Sequence, residues 1–338
     1  MPIFRLSPPF LAGANRVTIQ MLQVLVALVP AVIAMTYYFG PGVLINVTLA
    51  VVVALITEAI MLKLRNRPLK PFLSDGSAAV TAVLLALAIP PLSPWWMTVI
   101  GVTFAIIFAK HLYGGLGYNP FNPAMVGYVL LLISFPLEMT TWLPVQPMGW
   151  LSALQLIFTG QFNGLGIDAY SGATPLDAMK TQIVLDRHPE FISSQELFGM
   201  AGGLGWEWIN IWFALGGIWL IYRKVISWHV PVAMILALLI ISSITTLIDP
   251  TVSGSPLFHL VSGGTMLGAF FIATDPVSGS TTLKGRIVFG AGVGILTYVI
   301  RIWGGYPDGV AFAVILMNML VPLIDYYTQP RVYGGATR

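Results

Sequence analysis

One hydroxyl group in this chain is presented as a site on which chemistry could be done. Thr174 closes the stretch Asp168-Ala-Tyr-Ser-Gly-Ala-Thr174, and Pro175 follows it. The residues just before the threonine are small, so they leave the backbone around its hydroxyl accessible. No residue nearby in the sequence is an ordinary catalytic base that would activate this hydroxyl. The stretch therefore predicts a residue that another enzyme modifies, not a nucleophile that acts by itself.

The same residues predict the start of a helix at Thr174. Proline suits the first position of a helix, and Asp177 stands three residues after the threonine, which is capping-box spacing with Asp in place of Glu or Gln. Thr174 would then be the N-cap of a helix over residues 175–183. The two roles are compatible, because a phosphate ester at a helix N-terminus meets free N–H groups and the positive end of the helix dipole.

The composition is that of a polytopic membrane protein. Of 338 residues, 57% are hydrophobic and 9% are charged, whereas soluble domains carry about 25% charged residues. The chain has no cysteine, which excludes disulfides, thiolate metal sites and cysteine-held iron–sulfur clusters within it. The four histidines are scattered, so no metal site is predicted, and the net charge of +3 does not indicate a nucleic-acid partner.

Apolar runs of about 20 residues predict ten helices that cross the lipid bilayer. Their predicted bounds are 21–39, 42–62, 77–91, 95–111, 122–137, 207–223, 230–248, 258–274, 287–303 and 309–326. Of the 16 basic residues, all but Lys180, Arg187 and Arg301 fall in loops or at span ends on one side of this arrangement. Since basic loops stay in the cytoplasm, both termini are predicted to be cytoplasmic and residues 138–206 periplasmic, in a bacterial inner membrane.

Five predicted spans precede the periplasmic segment and five follow it, so the two halves would have opposite orientations, as in inverted-repeat transporters. The predicted single membrane domain, 1–338, divides into a first repeat, the periplasmic segment, a second repeat and a cytoplasmic tail. These parts cover 1–137, 138–206, 207–326 and 327–338. Glycine-containing breaks stand at matching places, Asp75-Gly76 before the third span and Ser262-Gly-Gly264 in the eighth. The predicted fold class is an all-α polytopic membrane protein with helices broken near the midplane, although Gly and Pro are also simply common in membrane helices.

Several motifs together resemble one known family. Asp168, Ser171, Gly172, Ala173 and Thr174 match the pattern Asp-x-x-Ser-Gly-Ala-Thr, the acceptor motif of flavin transferases. The stretches 75–81, 110–124 and 273–278 are similar to the same family, which includes the D subunit of the bacterial Rnf ion-translocating electron-transport complex and the B subunit of the Na⁺-translocating NADH:quinone reductase. The resemblance covers essentially the whole chain, and the short stretch before the first span favours the Rnf branch.

The resemblance implies that Thr174 carries covalent FMN, linked through its phosphate, and that Asp168, Ser171, Gly172 and Ala173 are recognised by a flavin transferase. It also implies a noncovalent riboflavin among the membrane helices. The chain would be the flavin-carrying redox subunit of a complex that couples electron transfer between ferredoxin and NADH to Na⁺ or H⁺ transport. Other membrane, flavoprotein and iron–sulfur subunits would complete the reaction, in agreement with the missing cysteines.

Four polar residues in or beside the predicted spans are candidates for riboflavin or ion contacts. Ionisable residues inside membrane helices are functional candidates by default, which applies to Glu58, although a cavity or a neighbouring helix could accommodate it instead. Asp75 and Asp275 stand at the repeat-related breaks, and Asn122 is a similar candidate.

Three basic residues at span ends have a plainer interpretation. Arg301 could contact a flavin, but its place near the end of the ninth span favours snorkelling to the interface. Lys110 and His111 end the fourth span on the cytoplasmic side. They are predicted to anchor the topology rather than to carry protons.

Two other functions stay open beside the redox subunit. A small-solute channel or carrier of urea-transporter-like fold would also have two sets of five helices with breaks, since fold alone does not settle function. A scaffold subunit could use Thr174 only as a helix cap. The flavin-acceptor motif favours the redox subunit over both.

Overall fold

The computed structural model is mostly helical and describes residues 16–145, 148–185, 197–251, 253–306 and 308–330. Arg5, Arg187 and the tail residues 331–338, which entered the topology prediction, lie outside the described residues. The helices of the first half and of the segment after it are α1 (Arg16–Phe39), α2 (Gly42–Leu64), α3 (Leu69–Leu73), α4 (Ser77–Ala88), α5 (Trp95–Phe104, continued by a π-helical turn Ala105–His111), α6 (Pro123–Ser134), α7 (Pro136–Thr140), α8 (Trp150–Thr159) and α9 (Pro175–Val184). Those of the second half are α10 (Trp206–Tyr222), α11 (His229–Ile248), α12 (Pro256–Val261), α13 (Thr265–Leu267, continued by a π-helical turn Gly268–Ile272), α14 (Leu283–Trp303) and α15 (Val310–Thr328).

Six helical stretches among the described residues are long and apolar enough to cross a membrane, judged by length and composition. They are Val17–Phe39, Gly42–Leu64, Leu69–Ala88, His229–Ile248, Leu283–Trp303 and Val310–Thr328. Shorter apolar helices accompany them, and the 17 residues of α10 reach about 26 Å at 1.5 Å per residue, against a hydrocarbon core of about 30 Å. The chain is therefore a multi-pass membrane protein, and several of the ten predicted spans are shorter or interrupted.

Two of the interruptions lie where the glycines predicted them. The helical stretch over Leu69–Ala88 is broken between α3 and α4, and the eighth predicted span is broken between α12 and α13. Gly76 and Gly263 have φ angles of 79° and 62° at these breaks, a left-handed conformation that glycine adopts without a steric penalty. Both helical stretches are thus interrupted beside glycines that the sequence singled out.

The predicted fifth span, 122–137, was wrong in extent. Helix α6 ends at Ser134, and Pro136 begins the separate short helix α7. Proline has no N–H to donate and disfavours a helical conformation in the residue before it, so Phe135 leaves the helix with φ −134° and ψ 60°.

The two halves of the chain pack against each other through helices of both halves. Helix α1 contacts α10 and α6 contacts α15, while α2 packs on α4 and α5 in the first half and α11 packs on α14 in the second. Close approach of α1 and α10 depends on Gly216, where an added Cβ would lie 2.3 Å from the carbonyl oxygen of Ala27. Small residues at such contacts let membrane helices pack tightly.

The segment between the two halves contributes the only described strands. The predicted apolar run 151–158 forms α8, which buries Ala153, Leu156 and Ile157 and leaves its other face apolar and exposed. A short antiparallel hairpin follows, with β1 (Gln161–Phe162) paired to β2 (Leu165–Gly166). Helix α9 comes after this hairpin. Among the described residues, the all-α prediction therefore holds apart from the hairpin.

Candidate functional site

Thr174 is the N-cap of α9, as the sequence predicted. Its Oγ1 accepts a hydrogen bond from the backbone N–H of Asp177 at 3.2 Å, and Pro175 occupies the first helical position. Within the described contacts the Asp177 carboxylate makes no reciprocal bond, so only half of a capping box is formed. The cap uses a lone pair of the hydroxyl oxygen and leaves its proton uncommitted.

The rest of the predicted acceptor motif lies around this cap. Asp168 belongs to a 3₁₀ turn and is exposed, and the Ser171 hydroxyl donates to its carbonyl at 3.3 Å. The N–H of Gly172 donates to the carbonyl of Trp142 at 2.7 Å. Ala173 is exposed. The motif is therefore tethered at its glycine and open on its other side, and its recognition by a transferase stays a prediction.

Lys180 attaches α9 to the segment that joins α14 and α15. Its Nζ donates to the carbonyl oxygens of Gly304 and Tyr306, the latter at 3.2 Å. Burial lowers the pKa of Lys180, and the negative charge of Asp177 only partly offsets this. Burial likewise raises the pKa of Asp177, with the positive charge of Lys180 acting in the opposite direction.

Thr174 stands on the lining of a large cavity, named here the Thr174 cavity. The empty space between its walls amounts to about 990 Å³, a volume that includes open solvent. Its lining is mainly apolar and aromatic, with Asp177 and Asp308 as its carboxylates. The aromatic residues of the lining are Tyr128, Trp142, Trp206, Phe213 and Tyr306.

A second cavity, named here the Asp275 cavity, lies toward the other end of the same helices, with an empty volume of about 880 Å³ that includes open solvent. Two predicted site residues, Asn122 and Asp275, line it together with the polar residues Ser77, Lys110 and Asn119. Helices α1, α4, α6 and α10 contribute residues to both cavities. Along α4 the two linings run from residue 77 to residue 88, a rise of about 16 Å.

Asn122, on the lining of the Asp275 cavity, is held in place by a second buried asparagine, Asn318. The N–H of Asn122 donates to Oδ1 of Asn318 at 3.2 Å, and its Nδ2 donates to the carbonyl of Ile272 at 3.3 Å. Nδ2 of Asn318 donates in turn to the carbonyl of Ser278 at 2.9 Å. Asn318 was missed in the sequence, although an amide within the apolar run of α15 was a usable signal.

Glu58 is buried in an ionic cluster rather than facing an open path. Its Oε1 lies 2.8 Å from Nζ of Lys110, and its Oε2 lies 3.0 Å from Nε2 of His111 without hydrogen-bond geometry. Lys110 also donates to the hydroxyl of Ser77 at 2.8 Å, and that hydroxyl donates to Asp75 at 2.6 Å. The anchor interpretation of Lys110 and His111 was therefore wrong, since both are buried and paired. Asp75 is not among the cavity-lining residues.

Arg301 is buried as well, so the snorkelling prediction was wrong. Only 2% of its surface is exposed, and its Nη2 lies 3.0 Å from Oδ1 of Asp308. The guanidinium also donates to the carbonyl of His259 at 2.6 Å and to the hydroxyl of Thr265 at 2.8 Å. The Arg301 guanidinium is thus paired with Asp308 and bonded to groups of the broken helix between α12 and α13.

Side chains from α10 and from the loop before α15 bond further backbone groups of this break. Nδ2 of Asn210, in α10, donates to the carbonyls of Val261 and Gly263 at 3.0 Å, and its Oδ1 accepts from the N–H of Met266. The N–H of Gly264 donates to Asp308 at 2.8 Å. Irregular backbone at membrane depth is stable only where such partners exist.

These features define a class of protein: a multi-pass helical membrane protein whose halves enclose two cavities, with a capped threonine hydroxyl on the lining of one. The profile of the NQR2, RnfD, RnfE family matches residues 5–334, and the chain belongs to this family. It is 51% identical to the D subunit of the ion-translocating oxidoreductase complex of Aliivibrio salmonicida, over 99% of both chains. The corresponding D subunit of Yersinia pseudotuberculosis is 52% identical over 97% of both chains. That of Escherichia fergusonii is 50% identical over 98% of this chain and 99% of its own.

Proposed function

We propose that this chain is the flavin-carrying membrane subunit of an ion-translocating oxidoreductase complex. The names of its relatives support the complex, and one geometric observation supports the flavin. The Thr174 hydroxyl, inside a flavin-acceptor motif, lies on the lining of a cavity with aromatic walls. The reaction would be completed by other membrane, flavoprotein and iron–sulfur subunits, and maturation by a flavin transferase.

The proposed ligand of the Thr174 cavity is FMN, esterified through its phosphate to the threonine hydroxyl. The first turn of α9 offers N–H groups and a positive dipole end to that phosphate. Trp142, Trp206 and Phe213 offer apolar surfaces on which the flavin ring can pack. A flavin supplies one- and two-electron transfer, and the protein's part is to place it and set its potential.

The proposed ligand of the Asp275 cavity is a noncovalent riboflavin. Asn122 and Asp275 offer amide and carboxylate groups to its polar edge, and Lys110 adds an ammonium group held by Glu58. The two flavins would then lie toward opposite ends of α4, whose lining residues for both cavities together span about 16 Å. Electron flow along this line would be coupled by the complex to Na⁺ or H⁺ transport.

The proposed arrangement in the inner membrane is ten crossings in two inverted repeats, with both termini cytoplasmic and Thr174 periplasmic. The packing supports the repeat, because the first helices of the two halves, α1 and α10, contact each other, as do the last, α6 and α15. A two-fold axis between the halves would produce such self-pairs. The breaks before α4 and before α13 also correspond in position.

The test of the proposed function is flavin that survives denaturation. The protein is expressed with a flavin transferase, run on a denaturing gel and imaged for flavin fluorescence, and the peptide bearing Thr174 is weighed by mass spectrometry. We expect fluorescence and an FMN-phosphoryl mass increment in the wild type, none in Thr174→Val, and retention in Thr181→Val, a matched exposed threonine on α9. A wild-type protein without bound flavin beside an active transferase would refute the proposal.

The alternative function is a small-solute channel or carrier. Two cavities toward opposite ends of the same helices favour it as a second candidate. Two results together would support this alternative over the redox subunit. The protein would carry no flavin in cells, and liposomes containing the unflavinylated protein would show solute flux.

A further inference from the structure

A third cavity, separate from the two flavin cavities, lies between α9, α12 and α14. It encloses about 400 Å³ including its open mouth. Residues 176, 179, 180 and 183 of α9 line it at helical spacing, whereas the Thr174 cavity uses residues 174 to 177. Its polar lining consists of Lys180, Ser253, His259 and Arg301.

His259 is the group in this cavity that no described contact explains. The residue is 2% exposed, and neither ring nitrogen has a hydrogen-bond partner in the part of the chain that the structure describes. The ring is held edge-on to Tyr298 at a centroid distance of 5.1 Å. An imidazole always carries at least one N–H donor, and buried donors in native proteins almost always have a partner. The N–H of the His259 ring therefore lacks a hydrogen-bond acceptor among the described residues, and a ligand in the cavity would supply one.

The cavity offers donors and positive charge in excess. An ammonium group has three donors, and the carbonyls of Gly304 and Tyr306 take two of those on Lys180. Arg301 is neutralised by Asp308, whereas Lys180 forms no ion pair with any described carboxylate within 4 Å and has Asp177 only at longer range. The partly buried ammonium of Lys180 thus lacks a close counter-charge, and an anion beside it would supply one.

We propose that this cavity binds one small inorganic monoanion of halide size, held between the Lys180 ammonium and the His259 ring. The walls contributed by Leu176, Met179 and Phe258 are apolar, which suits a weakly hydrated monoanion better than a phosphate, whose oxygens need more donors. Because the ligands come from α9 and α12, the anion would fasten the Thr174-bearing helix to the membrane part of the molecule.

The test uses the purified full chain without flavin, so its outcome is independent of the proposed redox function. Thermal unfolding is measured while sodium gluconate is replaced by sodium chloride at constant ionic strength. A ligand that binds the folded state raises Tm with a saturable dependence on its concentration. We expect this rise in the wild type, its loss in Lys180→Met and His259→Phe, and its retention in Lys284→Met, an exposed lysine outside this cavity.

Crystals of the wild type soaked in bromide provide a measurement that needs no variant. An anomalous peak between Lys180 and His259 would support the site. A water molecule there without anomalous signal, or a chloride effect that persists unchanged in Lys180→Met, would overturn the proposal.

Discussion

Asp177 and Asp249 show how differently two carboxylates outside the membrane spans respond to their surroundings. Burial raises the pKa of Asp177, since the nearby charge of Lys180 offsets only part of the desolvation. Asp249 is partly exposed, and hydrogen bonds from the hydroxyl and N–H of Thr251 lower its pKa. The ionised form is therefore disfavoured by folding at Asp177 and favoured at Asp249.

These opposite shifts predict opposite effects of removing the charge. The stability contribution of Asp177 is present below its unfolded-state pKa and is lost as the pH rises through its higher folded-state pKa. That of Asp249 is present above its unfolded-state pKa and is lost as the pH falls through the lower folded-state value. In thermal unfolding at neutral pH we expect Asp177→Asn to raise Tm slightly and Asp249→Asn to lower it. Both differences should disappear in acid, and a Tm difference of the same sign for both variants would contradict this account.

Single residues were predictable where their partners are local in sequence. Thr174 could be identified as an N-cap because its partner N–H is three residues away. Glu58 pairs with Lys110 across 52 positions, and Arg301 reaches the carbonyl of His259 across 42. No local sequence pattern encodes such pairs. Lys110 was therefore predicted to be a topology anchor and Arg301 a snorkelling residue, whereas the fold buries both in ion pairs.

At the scale of helices, the break between α12 and α13 depends on side chains that neighbouring helices deliver. Arg301 belongs to the end of α14 and Asp308 lies in the loop just before α15, and together they bond the backbone on both sides of Gly263. An added Cβ at Gly263 would lie 2.6 Å from Oδ2 of Asp308, so glycine is required for this contact as well as for its positive φ. Glycine marks the break in the sequence, but the groups that stabilise it come from far along the chain.

The ion pair of buried Arg301 with partly exposed Asp308 predicts coupling between its two members. Arg301→Met leaves Asp308 without its cation and also removes the guanidinium's bonds to the carbonyl of His259 and the hydroxyl of Thr265. We expect a large fall in Tm for this variant and partial recovery in the double variant with Asp308→Asn. Arg223→Met, an exposed arginine at the end of α10, serves as the control with little change. Additive losses in the double variant would show that the two side chains act independently.

At the scale of the whole molecule, helix length and helix packing give different numbers of membrane crossings, and therefore different topologies. Length and composition select one crossing between the α9 end and Lys284, namely His229–Ile248. The packing adds α10, whose first residue lines the Thr174 cavity and whose residue 220 lines the Asp275 cavity. A 17-residue helix that joins both cavities crosses most of the apolar layer, because about 26 Å of helix approaches its thickness.

The loop after α10 separates these two topologies, and the absence of cysteine makes the test direct. Single cysteines replace the exposed residues Gln161, Lys224 and Lys284, and whole cells are treated with a membrane-impermeant maleimide. If α10 and the broken helix α12–α13 both cross, Gln161→Cys reacts in intact cells, whereas Lys224→Cys and Lys284→Cys react only after permeabilisation. If only α11 crosses in this region, Lys224→Cys reacts together with Gln161→Cys. The second pattern would overturn the ten-crossing repeat. It would leave the Thr174 cavity and the helix cap at Thr174 unchanged, because helix packing forms both whatever the number of membrane crossings.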